Sequence, residues 1–206
     1  MKIYLTDQSK RLKKHLDDLR VCKIMEYNLN VLTSKVSTTD LNVNSFQSVN
    51  LQMLFDYKIF PENIMSSLTQ WNLEDREMRV GDTIVQQVYI PPIKTVSQKI
   101  IFGVRIKEIF DEEFRKGYSY ETLEGHVEKG ISTFTIEKLD NDFIFKIETF
   151  SSPGNFLTKI LGPIFSIPYQ SFCTKAALDH VRTNIRTSHN IVEPQCLHFC
   201  LQKVLR

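Results

Sequence analysis

Gly117-Tyr118-Ser119-Tyr120-Glu121-Thr122-Leu123-Glu124-Gly125-His126-Val127-Glu128-Lys129-Gly130, followed by two apolar runs as far as Gln170, is the stretch whose reading decides the fold. Gly130 to Leu139 and Phe143 to Phe150 alternate apolar and polar residues at period two, the mark of half-buried strands. Asp140-Asn141-Asp142 between them has residues that tolerate left-handed geometry, so the two strands form a hairpin. Ser151-Ser152-Pro153-Gly154 stops the alternation. From Phe156 to about Arg182 the period turns helical, with Phe156, Leu157, Ile160 and Ile164 on one stripe and Phe172, Ala176 and Leu178 or Val181 continuing it. Pro163 and Pro168 each remove an N–H, which predicts a kink or a break into two segments.

Working outward, Gln98 to Phe110 has the cleanest alternation, with Ile100, Phe102, Val104 and Ile106 inward and Lys99, Arg105 and Lys107 outward. Thr83 to Ile90 is a strand ended by Pro91-Pro92, and Glu113 to Thr122 is another. Connections this short require antiparallel neighbours, since a parallel pair needs a crossover of a dozen or more residues. Earlier, Leu41 to Met53 alternates as a first strand. Pro61 starts a helix to Trp71, with Ile64, Met65, Leu68 and Trp71 as its buried stripe. Residues 21–39 read as irregular with one strand, and Thr6 to Arg20 as an amphipathic helix behind a Thr6 N-cap. The expected architecture is α+β: a curved antiparallel sheet wrapped around a long C-terminal helix, the helix-grip plan, with an extra N-terminal helix. One domain is expected over 1–206, divided into an N-terminal extension (1–40), a helix-grip core (41–183) and a tail (184–206).

Bulk properties exclude several classes. The 206 residues, 42% apolar and 24% charged, suit an ordinary globular chain with a real core. A net charge of +2 argues against a nucleic-acid surface, and the basic run at Lys10, Arg11, Lys13 and Lys14 is met by Asp17 and Asp18. No signal-like leader and no apolar run of about 20 residues appear, so stable membrane insertion is not expected. Cys22, Cys173, Cys196 and Cys200 lack a disulfide-framework spacing, which points to a reducing, cytoplasmic setting. Cys196-Leu197-His198-Phe199-Cys200 has no second ligand pair at zinc-finger spacing and reads as a packed tail, with no metal and no cofactor expected. Neither a phosphate-cradling glycine loop nor a serine elbow is present. Asp111, Glu112 and Glu113 read as a solvated turn.

The run from Gly117 to Gly130 resembles the aromatic-Thr-Leu-x-Gly-His-x-Glu-x-Gly corner of uncharacterised protein family 0548, a domain of unknown function. Phe150-Ser151-Ser152-Pro153, Leu161-Gly162-Pro163 and Gln170 are similar to that family's Phe-Ser-x-Pro, Gly-Pro and Gln stretch, and Trp71 and Val80-Gly81 fit its earlier helix-to-strand join. The resemblance runs from Asn44 to Val181. It departs at Val127, where many members carry Pro. The family is similar in layout to START-like helix-grip proteins, which hold lipids and other apolar molecules between sheet and helix, and whose relatives include cyclases and hydrolases. The resemblance therefore implies the fold and leaves activity open.

His126 and Glu128, two apart on an extended segment, point to one side. They read either as an acid–base or ligand-anchoring pair or as a lock on the turn between Gly125 and Gly130, with His126 bonded to local backbone. Tyr118 and Tyr120 share a face that Tyr89 would approach, as a cavity wall or as ordinary strand packing. Gln86 stands in the apolar row of Ile84, Val88 and Ile90, as a ligand anchor or bonded to a neighbour. With Phe156 and Ile160 from the long helix, these residues form the candidate site. The first expectation is a non-enzymatic binder of an apolar or amphipathic, lipid-like small molecule. An enzyme using His126 and Glu128 is the alternative, and an interaction module with a filled core is the third. The oligomeric state is open.

Overall fold

The computed structural model describes residues 2–92, 95–140, 142–153 and 167–186, with the side chains of residues 153 and 167–170 excepted. In chain order the elements are β1 (Lys2–Tyr4), α1 (Leu12–Arg20), β2 (Thr33–Asp40), α2 (Leu51–Phe55), β3 (Met65–Thr69), α3 (Gln70–Leu73), β4 (Thr83–Ile90), β5 (Gln98–Asp111), β6 (Arg115–Thr122), β7 (Glu128–Leu139), β8 (Asp142–Pro153) and α4 (Ile167–Asn184). The strands form an eight-stranded sheet in the order β2-β8-β7-β6-β5-β4-β3, with β1 added beside β5. All pairings are antiparallel, as the short connections require.

Register places Tyr120 opposite Ser132, Ser132 opposite Thr149 and Thr149 opposite Lys35. Because side chains alternate, one face carries Gln86, Phe102, Tyr118, Tyr120, Phe134, Phe145 and Ile147. This inner face meets α2, the chain around Tyr57 to Ile64, and Ala177, Val181 and Ile185 in and just after α4, in one large apolar core. The outer face is covered by the N-terminal segment, where Leu12 and Leu16 pack on Val85 and Ile101 with Tyr4, Leu19 and Leu68 around them.

The expected wrap of the sheet around the C-terminal helix is not found. The sheet is open: β2 and β3 stand at its two ends and, among the described strands, pair only with β8 and β4. Helix α4 packs on β2 and β8, at one end of the sheet. Strong curling is produced by bulges and glycine kinks, and the only register shift among the described pairs is in β5 at Ile106 and Glu108. The middle of the inner face is filled instead by Phe55, Tyr57 and Phe60 from α2 and the loop after it. Gly117 and Gly130 are still required: a Cβ there would lie 2.0 Å from the Phe134 carbonyl and 1.9 Å from the Phe150 carbonyl, at φ +154 and +148.

Three local readings also change, the first being that α1 begins at Leu12 after Arg11 and not behind a Thr6 N-cap. The alternation over Leu41 to Met53 is not a strand; β2 precedes it, and Asn50 caps α2 through a side-chain oxygen that accepts from the Met53 amide at 3.3 Å. The helix expected after Pro61 is largely strand β3, with only α3 helical around Trp71. Its apolar residues are covered all the same, Ile64, Met65 and Trp71 fully and Leu68 in part. Met65 lies opposite Val88 and Leu68 opposite Val85, on opposite faces of a sheet covered on both sides. Helix α4 runs through Pro168, its second residue, a first-turn position that a proline tolerates. Pro163 and the tail beyond residue 186 lie outside the described residues.

A polar strip on the inner face

The corner between β6 and β7 is held by local bonds. The His126 amide donates to the Leu123 carbonyl at 2.9 Å, and the Gly130 amide donates to Thr122 Oγ1 at 3.1 Å. His126 Nδ1 lies 3.0 Å from the Glu128 amide nitrogen and 2.8 Å from the Glu128 carbonyl oxygen. The imidazole thus meets the backbone of Glu128, while the hydrogen bond to the Glu128 carboxylate comes from Ser151 on β8. His126 also sets its ring edge-on to Phe102, with centroids 4.3 Å apart.

Both residues keep part of their surface open, yet enough protein surrounds them to strip water from their charged forms. That desolvation lowers the His126 pKa to about 4, so the ring is neutral at pH 7. It raises the Glu128 carboxyl to about 7, against smaller opposing effects of the Ser151 bond and the Lys35 charge. Lys35 reaches across to α4 and donates to Ser171 Oγ at 2.9 Å.

From this corner a polar strip crosses the sheet. Ser132 and Thr149 are bonded at 3.2 Å. Beside them Tyr120 is buried, with Tyr57, Ser132 and Gln86 as hydrogen-bonding neighbours. Gln86 Nε2 donates to the Tyr57 hydroxyl. Tyr57 reaches this place through an unusual helix end. It sits at φ 60 just after α2, its amide donating to Leu54 and that of Lys58 to Met53, the double bond that usually closes on a glycine. The ring it carries inward packs near Phe60, Tyr118 and Tyr120. Tyr118 is fully buried, and its hydroxyl has no hydrogen-bond partner among the described residues. Burial pushes its pKa well up, so the hydroxyl stays protonated.

Of the sequence-derived residues, Gln86, Tyr118, Tyr120, His126 and Glu128 share this face. Tyr89 is on the other face, where its hydroxyl donates to Ser66 at 3.0 Å and accepts from Gln87 at 3.0 Å. Phe156 and Ile160 lie outside the described residues. Sequence reasoning missed Tyr57, Ser132, Thr149 and Lys35. Ser132 and Thr149 had a legible signal, since period two puts them in the rows of Phe134 and Ile147; Tyr57 and Lys35 had none. An open cleft of about 730 Å³ lies elsewhere, on the outer face between residues 24–30 and Lys107 and Glu121, and the strip does not line it. Among the described residues no cluster of His, Cys, Asp and Glu is arranged to hold a metal ion, and no helix is long and apolar enough to cross a membrane.

Residues 34–180 match the family model described as a domain of unknown function, DUF1990, and the chain belongs to that family. No curated protein matches in sequence. Among solved structures, major latex-like protein 151 from Panax ginseng is similar with a TM-score of 0.51 at 15% identity, covering 74% of this chain and 97% of its own. A hypothetical protein from Helicobacter pylori is similar with a TM-score of 0.50 at 14% identity, covering 74% of this chain and 86% of its own. At such identities the likeness concerns fold alone.

Proposed function

We propose that this DUF1990-family chain binds an apolar or amphipathic small molecule on the inner face of its sheet, in the cytoplasm and without stable membrane insertion. The polar end would meet the strip of Tyr118, Tyr120, His126, Glu128 and Gln86, and the apolar part would lie toward α4. The observation that carries this reading is the buried Tyr118 hydroxyl beside that strip, which has no hydrogen-bond partner among the described residues. A buried polar group without a partner is costly, and a ligand oxygen would satisfy it. The fold relationship to START-type proteins supports the same reading by analogy only. Most of the affinity would come from apolar burial, at roughly 25 cal/mol per Å² before binding costs.

Native mass spectrometry of gently purified protein, followed by organic extraction, tests this. An excess mass that vanishes on denaturation is expected. A clean protein mass, together with no binding of a fluorescent fatty acid or a fluorescent sterol, would refute it.

A second reading, acid–base catalysis, is favoured by the place of Glu128, part-buried at the corner beside Ser151, where desolvation raises its carboxyl pKa to about 7. Loss of turnover in Glu128→Gln and His126→Gln with ligand binding intact separates the enzyme from the binder. Equal loss of binding supports the binder.

A further inference from the structure

Residues 2–20 precede the family match and cover the outer face of the sheet. Their attachment is partly polar. Gln87, buried on β4, accepts from the Gln8 amide at 2.6 Å and places its amide nitrogen 2.8 Å from Asp7 and 2.9 Å from Ser66. β1 adds three residues of pairing beside β5. His15 is one of the buried residues of α1. It is only 5% exposed, and neither ring nitrogen has a hydrogen-bond partner among the described residues. Its ring neighbour among the described residues is Tyr4, with centroids 5.5 Å apart.

We propose that residues 2–20 form an acid-released cover on the outer face, with His15 as its trigger. A neutral imidazole fits this seam; an imidazolium there would be a buried charge without an acceptor. The surrounding charges work in the same direction. Lys2 from β1 and Arg11 and Lys14 from α1 oppose protonation, and only Asp18, held by Lys2 at 2.8 Å, favours it. The sheet presents apolar Val85 and Ile101 beneath α1. The flanking strand cations are engaged by main-chain carbonyls, Lys99 by Leu5 and Ser97, and Arg105 by Leu19, Arg20 and Cys22.

The sign follows from linkage. Burial and the neighbouring cations lower the docked His15 pKa below its ordinary 6.5. Above 6.5 both docked and released forms are neutral and docking is at full strength. Below it the released form takes up the proton first, so the docking equilibrium falls by up to tenfold per pH unit until the docked ring also protonates. Release would bare the outer patch of Val85, Ile101 and Leu68 while leaving the inner face intact.

Hydrogen exchange of the full chain between pH 7 and 5, corrected for intrinsic rates, tests the proposal. Protection of residues 12–20 is expected to drop below pH 6.5, by up to tenfold per pH unit, while that of β7 is unchanged. His15→Phe is expected to keep α1 protected at pH 5, and His15→Met, a more adaptable filler, guards against a packing failure of the first variant. Constant α1 protection in the natural chain, or an equal drop in whichever variant folds, would overturn it. A simultaneous loss of protection in β7 would also overturn it, because global unfolding would then be the event.

Discussion

The two faces of one sheet are covered in different ways. The inner face is packed by large aromatic and aliphatic side chains from distant parts of the chain, and polar groups remain within that packing. The outer face carries a small apolar cluster, and its cover is further held by polar contacts of Gln87, Lys99 and Arg105 and by the short β1 pairing. Apolar burial is non-directional and sums over area, so the inner side belongs to the global fold. A cover held by few contacts opens at lower free energy than the whole protein. The difference teaches where to look for each property: cohesion and a candidate ligand site on one face, a detachable element on the other.

The most severe test of that contrast is truncation of one core residue on each side. Phe134→Ala, in the inner aromatic cluster, is expected to cost about 3–5 kcal/mol in urea unfolding. Leu16→Ala is expected to cost nearer 2 kcal/mol and to act chiefly on exchange within α1. Equal global effects would break the comparison. Gln87→Ala comes next. It strands the Gln8 amide and is expected to cost about 1–3 kcal/mol, read as lost protection of residues 2–20 with β7 unchanged.

Glu128 sharpens the inner side through pH. A carboxyl ordinarily near 4.5 and raised to about 7 in the folded protein leaves stability complete below 4.5 and loses it as pH rises toward 7. The slope is at most ~1.4 kcal/mol per pH unit, less for a group with some surface open. Urea midpoints of Glu128→Gln should lack that slope. The smallest effect is expected for Tyr118→Phe. Removing a buried hydroxyl with no described partner leaves stability unchanged or raises it by about 1 kcal/mol in the ligand-free protein. A loss above 1 kcal/mol would mean that the hydroxyl is satisfied within the fold.

The strands from Thr83 onward were legible because each is long, alternating and bounded by its own turn chemistry. β4 spans Thr83–Ile90 as read, and β7 and β8 meet at the acidic turn. The first third was not. Asn50 and the five-residue α2 sit inside a run that alternates over its whole length, and so short a helix gives no period of its own. At Met65 and Leu68 helical spacing coincided with burial on two faces of an edge strand, which a one-dimensional pattern does not separate. Within the candidate site, the shared face of Gln86, Tyr118 and Tyr120 depended on register across β4, β5 and β6, whereas alternation within β4 alone already sets Tyr89 on the face opposite Gln86.

The sequence by itself determined the antiparallel pairing of consecutive strands from Thr83 onward, the turn residues and the inward rows with their polar interruptions. Those are local consequences of side-chain alternation and backbone sterics. Only the tertiary structure decided that the sheet stays open, that Tyr57 enters the polar strip, that His126 bonds backbone while Ser151 bonds the Glu128 carboxylate, and that His15 is sealed under the N-terminal cover. Each of these depends on which distant segment covers which face, and burial selects that by total area and shape, quantities that no local window of sequence contains.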